Sequence, residues 1–350
     1  MKKTLTACAL SAALSLAFAP ASIAAPAPAG KVAGAVASQA KQRLDKLAED
    51  YYEAQARHDP VGATQNGDNR FDDQIGMTIS PKMRARHFAR YDAFLKRLHA
   101  IDRGSLDRGA QTNYDILDYE LKTALTFKRF PEHLLPIDQM GSMPVTLANF
   151  AGGEGAQALT TPTQYRAYLN RLNQLPSWID QAIANMRDGM RSGVVLQRAA
   201  MTSALPQFQK LASKTPESNI FYTPVTKMPA TFSAKEKQEL TAAYRATIAK
   251  KLMPSLAKLT AFLEKEYLPA TRTSTGISAL PQGAAWYQAN VAAQTTTTLT
   301  PEQIHATGLK EVARIQQEYG IVGPKMGYTG PASGLPTWVA AQEKYRPFTT

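Results

Sequence analysis

Zinc hydrolases are recognisable by two histidines four residues apart on one helix, with a glutamate between them. That spacing aims both imidazoles at one metal ion and leaves the carboxylate to handle the proton. No His-Glu-x-x-His segment occurs in these 350 residues. The five histidines, His58, His87, His99, His133 and His305, are dispersed along the chain. The nearest His–acid pair at helical spacing, His99 and Asp102, lies on an amphipathic surface helix and would hold a metal weakly. Cys8 is the single cysteine, which excludes a disulfide framework and a Cys-based zinc site. A Gly-x-Ser-x-Gly elbow is absent. Ser-x-x-Lys occurs at Ser38–Lys41 and Ser255–Lys258, without the Lys-Thr-Gly and Ser-Asp-Asn motifs that would give it meaning. The run Asp68-Asn69-Arg70-Phe71-Asp72-Asp73 has the acidity of a calcium loop. It lacks the alternating ligands, the sixth-position glycine and the closing glutamate, and reads as a polar loop with helix-capping carboxylates. No catalytic residue, metal ligand or cofactor site is therefore assigned. The cleft-lining candidates are Trp286 and Tyr287 beside a glycine-bearing turn, and His305 at a helix start; for each, core packing or a structural hydrogen bond is the competing reading.

The elements that would position these residues are helices. Val36, Ala40, Leu44, Leu47, Tyr51 and Ala54 recur at three- and four-residue steps, and Pro60 ends that helix. Ser80-Pro81 starts a second helix, in which Ser caps and Pro occupies the first turn, where its missing N–H is not needed. Tyr114, Leu117, Leu121 and Ala124 mark a third. Capping boxes open further helices at Thr161-Pro162-Thr163-Gln164, Ser233-Ala234-Lys235-Glu236 and Thr300-Pro301-Glu302-Gln303. Pro176 is expected to break the first of these, Gly189 and Gly193 to unwind it, and Pro254 to kink the second. The sole hint of a strand is the stretch 284–291. The fold class is accordingly mainly all-α, a multi-helical bundle or array with long Pro-kinked helices and little or no sheet.

Composition agrees with a folded soluble chain, 44% hydrophobic and 19% charged, with a formal net charge of +12. The basic residues alternate with acids along helices, as in Lys41-Gln42-Arg43-Leu44-Asp45-Lys46, so no nucleic-acid surface is expected. Lys2-Lys3, an apolar stretch from Leu5 to Phe18 and the small residues Ser22-Ile23-Ala24 form a secretory signal peptide over residues 1–24. Pro20 interrupts the apolar run, which argues against a transmembrane anchor. Cys8 comes too early for a lipoprotein box. The mature protein is expected to be periplasmic or secreted, with a flexible leader over 25–34, a helical domain over 35–325 and a Pro/Gly-rich tail over 326–350.

Gly276-Ile277-Ser278-Ala279-Leu280-Pro281-Gln282-Gly283, the pair Trp286-Tyr287, the threonines 295–298 and Leu299-Thr300-Pro301-Glu302-Gln303-Ile304-His305 follow one another in the order of a bacterial family of exported proteins. Asp59-Pro60, Leu135-Pro136-Ile137-Asp138-Gln139-Met140 and Arg187-Asp188-Gly189 agree, while Gln197 stands where proline is frequent. The chain thus resembles the N-terminal part of the family called domain of unknown function 885. That resemblance implies a helical, zinc metallopeptidase-like protein whose His-Glu-x-x-Pro-Gly-His-His segment lies in a C-terminal half. Zinc is implied for the full-length family, and no zinc ligand transfers to a position here. Two expectations follow. One is the N-terminal helical portion of an exported peptidase-like enzyme, truncated in the tail, inactive alone, meeting peptide substrate through the missing half and prone to self-association. The other is a non-catalytic exported helical binding or scaffolding module.

Overall fold

The computed structural model describes residues 28–345 apart from 139 and 213–214, with side chains from Ser38 onward. The signal peptide lies outside the described residues. The first helix, α1 (Pro28–His58), begins within the stretch expected as a leader. It is followed by α2 (Pro60–Gln65), α3 (Pro81–His99) and α4 (Arg108–Thr126). Leu44, Leu47, Phe88, Phe94, Leu98, Leu117 and Leu121 form the core shared by α1, α3 and α4. The order continues through α5 (Met143–Gly152), α6 (Pro162–Ser192), α7 (Arg198–Leu211) and α8 (Thr223–Thr226). Next come α9 (Ala234–Thr247), α10 (Met253–Phe262) and α11 (Leu268–Ala270), which two π-helical segments, Ile248–Leu252 and Leu263–Tyr267, join into one rod. A second and larger core fills the space between α5, α6, α7 and this rod. Among the described residues there is no strand; an isolated parallel bridge joins Gln197 to Arg272.

The capped starts form as the sequence dictates. Ser80 accepts from the Met83 N–H at 3.1 Å, and Thr161, Ser233 and Thr300 each complete a reciprocal capping box. The prolines behave differently from expectation. Pro176 does not break α6, which runs unbroken from 162 to 192 with Leu172, Leu175, Trp178 and Ile179 buried on either side of it. Burial of a long apolar face outweighs the roughly 3 kcal/mol that an interior proline costs. Gly189 also stays helical; its bare Cα lets the Val194 carbonyl approach, where a Cβ would sit 2.5 Å away. Gly193 then ends the helix in the left-handed conformation, at φ 75°. Pro254 and Pro269 each follow a π segment within two residues. The wider π turn relieves the clash between the proline ring and the carbonyl four residues back, so one rod carries both prolines.

The C-terminal elements are α12 (Gly283–Thr295), α13 (Pro301–Met326) and α14 (Leu335–Ala341). The stretch 284–291 is therefore helix, not strand, because Trp286 buries in a helical register against Phe130, Leu134, Val194 and Leu280. Gly283 opens α12 where a Cβ would meet the Ile277 carbonyl at 2.1 Å. α13 packs on the short turn at 332–334 and otherwise leaves Leu309, Val312, Ile321 and Val322 exposed.

Candidate functional site

The three cleft candidates are not gathered into one place. Trp286 is 3% exposed and stacks flat on Phe130, with ring centroids 5.5 Å apart and planes 6° from parallel. Tyr287, the next residue, is exposed on the other side of α12. His305 is exposed on α13, one helix further along the chain. His99 does not face Asp102. Its Nε2 lies 2.7 Å from the Asp118 carboxylate on α4, while Asp102 accepts from the Gly104 N–H to cap a 3-10 turn.

The acidic run at 68–73 does cap and close a loop, and the residue that organises it is Arg171, which the sequence pattern alone did not single out. Arg171 is fully buried in the middle of α6. Its guanidinium donates to the carbonyls of Pro60, Phe71 and Gln74, to the Gln157 side-chain oxygen at 2.6 Å, and to the Thr64 hydroxyl at 2.6 Å. Thr64 in turn donates to the buried Asp72 carboxylate at 2.6 Å. One side chain thereby ties α6 to the whole segment from α2 to residue 74. Burial pushes the Arg171 pKa down to about 10, opposed by Asp72 and Asp73, so it keeps its charge at neutral pH. The available signal was its register: Arg171 falls on the stripe of Tyr165, Tyr168, Leu172 and Leu175.

A cleft of about 640 Å³ opens between the C-terminal half of α1, α2 and α4. Tyr51, Tyr52 and Tyr119 form much of its wall, and Gln55, His58, Asp59, Asn66 and Glu120 supply its polar groups. Behind the wall lies a hydrogen-bonded network. Gln55 donates to the Tyr91 hydroxyl at 2.9 Å, and the His87 Nε2 lies 2.7 Å from the same oxygen. The imidazoles of His58 and His87 stack with centroids 3.6 Å apart, and Arg90 reaches the His58 Nδ1. The Nδ1 of His87 is buried without a partner. Burial, then the neighbouring His58 and Arg90, hold His87 down to about 3; burial and Arg90 lower His58 as well.

This depression has a consequence for stability. Unfolded, both imidazoles bind protons below pH 6.5, whereas the folded pair resists them, so stability is full above that pH and is lost as pH falls toward about 3. Between pH 7.5 and 5 the pair is expected to remove about 1 kcal/mol, discounted for its partial solvent contact. Urea unfolding at the two pH values checks this. His87→Gln should flatten the difference, and an unchanged slope in that variant would refute the assignment.

The zinc implied by the family resemblance does not fit the residues described. Among them no three His, Cys, Asp or Glu side chains come together as a metal site. The stacked His58–His87 pair has Arg90 beside it, a charge that opposes a cation. Among the described residues no helix is long and apolar enough to cross a membrane.

No curated protein matches this chain. A crystal structure described as that of "the putative lipoprotein from Colwellia psychrerythraea" shares the fold with a TM-score of 0.71 at 18% sequence identity. The match covers 87% of this chain and 55% of that one, so this chain spans little more than half the length of its structural relative. Residues 60–350 match the family model described as "Bacterial protein of unknown function (DUF885)", and with most of its length so matched, this chain belongs to that family.

Proposed function

We propose that this chain is the N-terminal helical portion of a larger exported, metallopeptidase-like protein, and that it acts as the frame and one wall of a peptide-binding cleft. The observation that carries the proposal is α13. A 26-residue helix that leaves the one-sided set Leu309, Val312, Ile315 and Val322 in water buries too little apolar surface to account for its own order. A further polypeptide layer against this face would bury it and would bring His305 and Tyr287 near the remaining part of the protein. The family membership, and a structural relative of which the match covers 55%, support the same reading. The signal-peptide pattern at 1–24 supports export.

In this proposal the described residues supply no metal ligand, and the hydrolytic group comes from the other portion. The test begins with the gene. An in-frame continuation past codon 350 that encodes a His-Glu-x-x-His segment is expected, and a stop codon followed by unrelated sequence would sink the idea. With the complete product in hand, elemental analysis and a peptide-library assay should find one zinc per chain and chelator-sensitive turnover. Residues 25–350 alone should show neither; turnover by them would contradict the division of labour.

A further inference from the structure

The cleft between α1, α2 and α4 is at odds with the charge of the molecule around it. The chain carries a net +12, yet no Lys or Arg lines this cleft. The basic side chains nearby are engaged with other groups: Arg57 with Glu53, Arg70 with Glu53 and Asp68, Lys122 with Asp118, and Arg90, on α3, with the Ala54 carbonyl and His58. The two carboxylates that do line it differ in their engagement. Asp59 caps α2, accepting from the Gly62 N–H at 3.0 Å. Glu120 has no hydrogen bond and no ion pair, and crowding by the cleft wall raises its pKa. Burial raises the hydroxyls of Tyr51 and Tyr91, and the Glu120 charge adds to both, so this exposed carboxylate stands at the mouth of the cleft within electrostatic reach of its tyrosines. A carboxylate without a counter-ion at an aromatic-walled cavity is what an organic cation requires: charge from the acid, and the negative faces of rings around its methylenes. The volume, about 640 Å³, is in the range of small-ligand sites, on the order of 300–1,000 Å³.

We infer that this cleft binds an alkylammonium group, with Glu120 as its counter-ion and the tyrosines Tyr51, Tyr52 and Tyr119 as its walls. The inference rests on the chain's own residues and does not depend on any missing portion or on hydrolysis. Tyr119 is fixed from behind, donating to the Ala292 carbonyl at 3.2 Å, and Tyr52 donates to Asp68 at 3.1 Å. Two of the walls are therefore anchored before a ligand arrives, which limits the ordering that binding would require.

The experiment is calorimetric titration of residues 25–350 with cadaverine at low ionic strength, with 1-pentanol as the uncharged comparison. Saturable one-site binding of the diamine and none of the alcohol is expected. Glu120→Gln should weaken it about five- to tenfold while leaving helix content and thermal midpoint unchanged, because Glu120 holds no structural partner. Tyr52→Ala should weaken it as well. Glu53→Gln, which removes an acid on α1 that does not line the cleft, should leave the affinity as it was. Absence of saturable binding, equal binding of pentanol, or an equal loss in Glu53→Gln would each overturn the assignment; the last would mean diffuse attraction to surface charge.

Discussion

Arg171→Met is expected to lower the unfolding free energy by about 3–5 kcal/mol, the range found when one partner of a buried charged network is removed. Methionine fills most of the volume, so the loss is not a cavity effect. It leaves the Gln74 carbonyl and the Gln157 side-chain oxygen without their donor and takes one donor from the carbonyls of Pro60 and Phe71, which keep the Thr64 hydroxyl and the Gln74 N–H. It also strands the Asp72 carboxylate, which keeps the Thr64 hydroxyl and Asn69 but loses the nearby positive charge. The segment from α2 to residue 74 should loosen first, because Arg171 is what fastens it to α6. Urea unfolding followed by circular dichroism gives the total, and amide exchange over residues 60–75 gives the location. A loss below about 1 kcal/mol would mean that water replaces the guanidinium at these acceptors. Arg171→Met combined with Asp72→Asn should recover part of the loss, since the second change removes the stranded charge.

The same residue shows where reading the sequence succeeded and where it stopped. Helix starts at Ser80, Thr161, Ser233 and Thr300 are encoded within four residues, because a cap and its N–H are neighbours in the chain. The apolar stripes follow from the 3.6-residue period and gave the all-α class. The local expectations that the structure overturns are ones whose outcome depends on a distant partner. Local sterics at Pro176 favour a break, while the core packed around Leu175 and Trp178 keeps α6 whole. The stretch 284–291 carries a local hint of a strand, yet Phe130, more than 150 residues earlier, provides the flat face on which Trp286 lies in a helix. Arg171 does not stand out in the sequence, because its acceptors lie about 100 positions away. The α1/α2/α4 cleft was invisible for the same reason. Its walls come from residues 51–66 and 119–124, and the family-like Asp59-Pro60 in the first of these says nothing of the cleft tyrosines or of the glutamate that the second brings to it.

The second large effect separates the two adjacent aromatics. Trp286→Ala is expected to destabilise the protein by about 3–5 kcal/mol, whereas Tyr287→Ala should stay within about 0.5 kcal/mol of the parent. The difference arises from position alone, since both residues lie on α12. Trp286 is enclosed by Phe130, Leu134, Val194 and Leu280, so truncation removes its transfer energy, leaves a cavity and abolishes the stacked contact with Phe130. The two ends of α12 are non-glycine residues in the left-handed region, Gln282 at φ 57° and Thr296 at φ 54°, a conformation that costs free energy. A helix with strained ends depends on its central anchor, and loss of Trp286 should let α12 detach and release Tyr119 from the Ala292 carbonyl. Tyr287 is 45% exposed and leaves no cavity when removed. If Tyr287 forms part of a substrate wall in the longer protein, Tyr287→Ala should change peptide binding there at unchanged stability, a combination that Trp286→Ala cannot produce. Equal destabilisation by the two substitutions would show that Tyr287, too, packs against something, and would remove it from the wall.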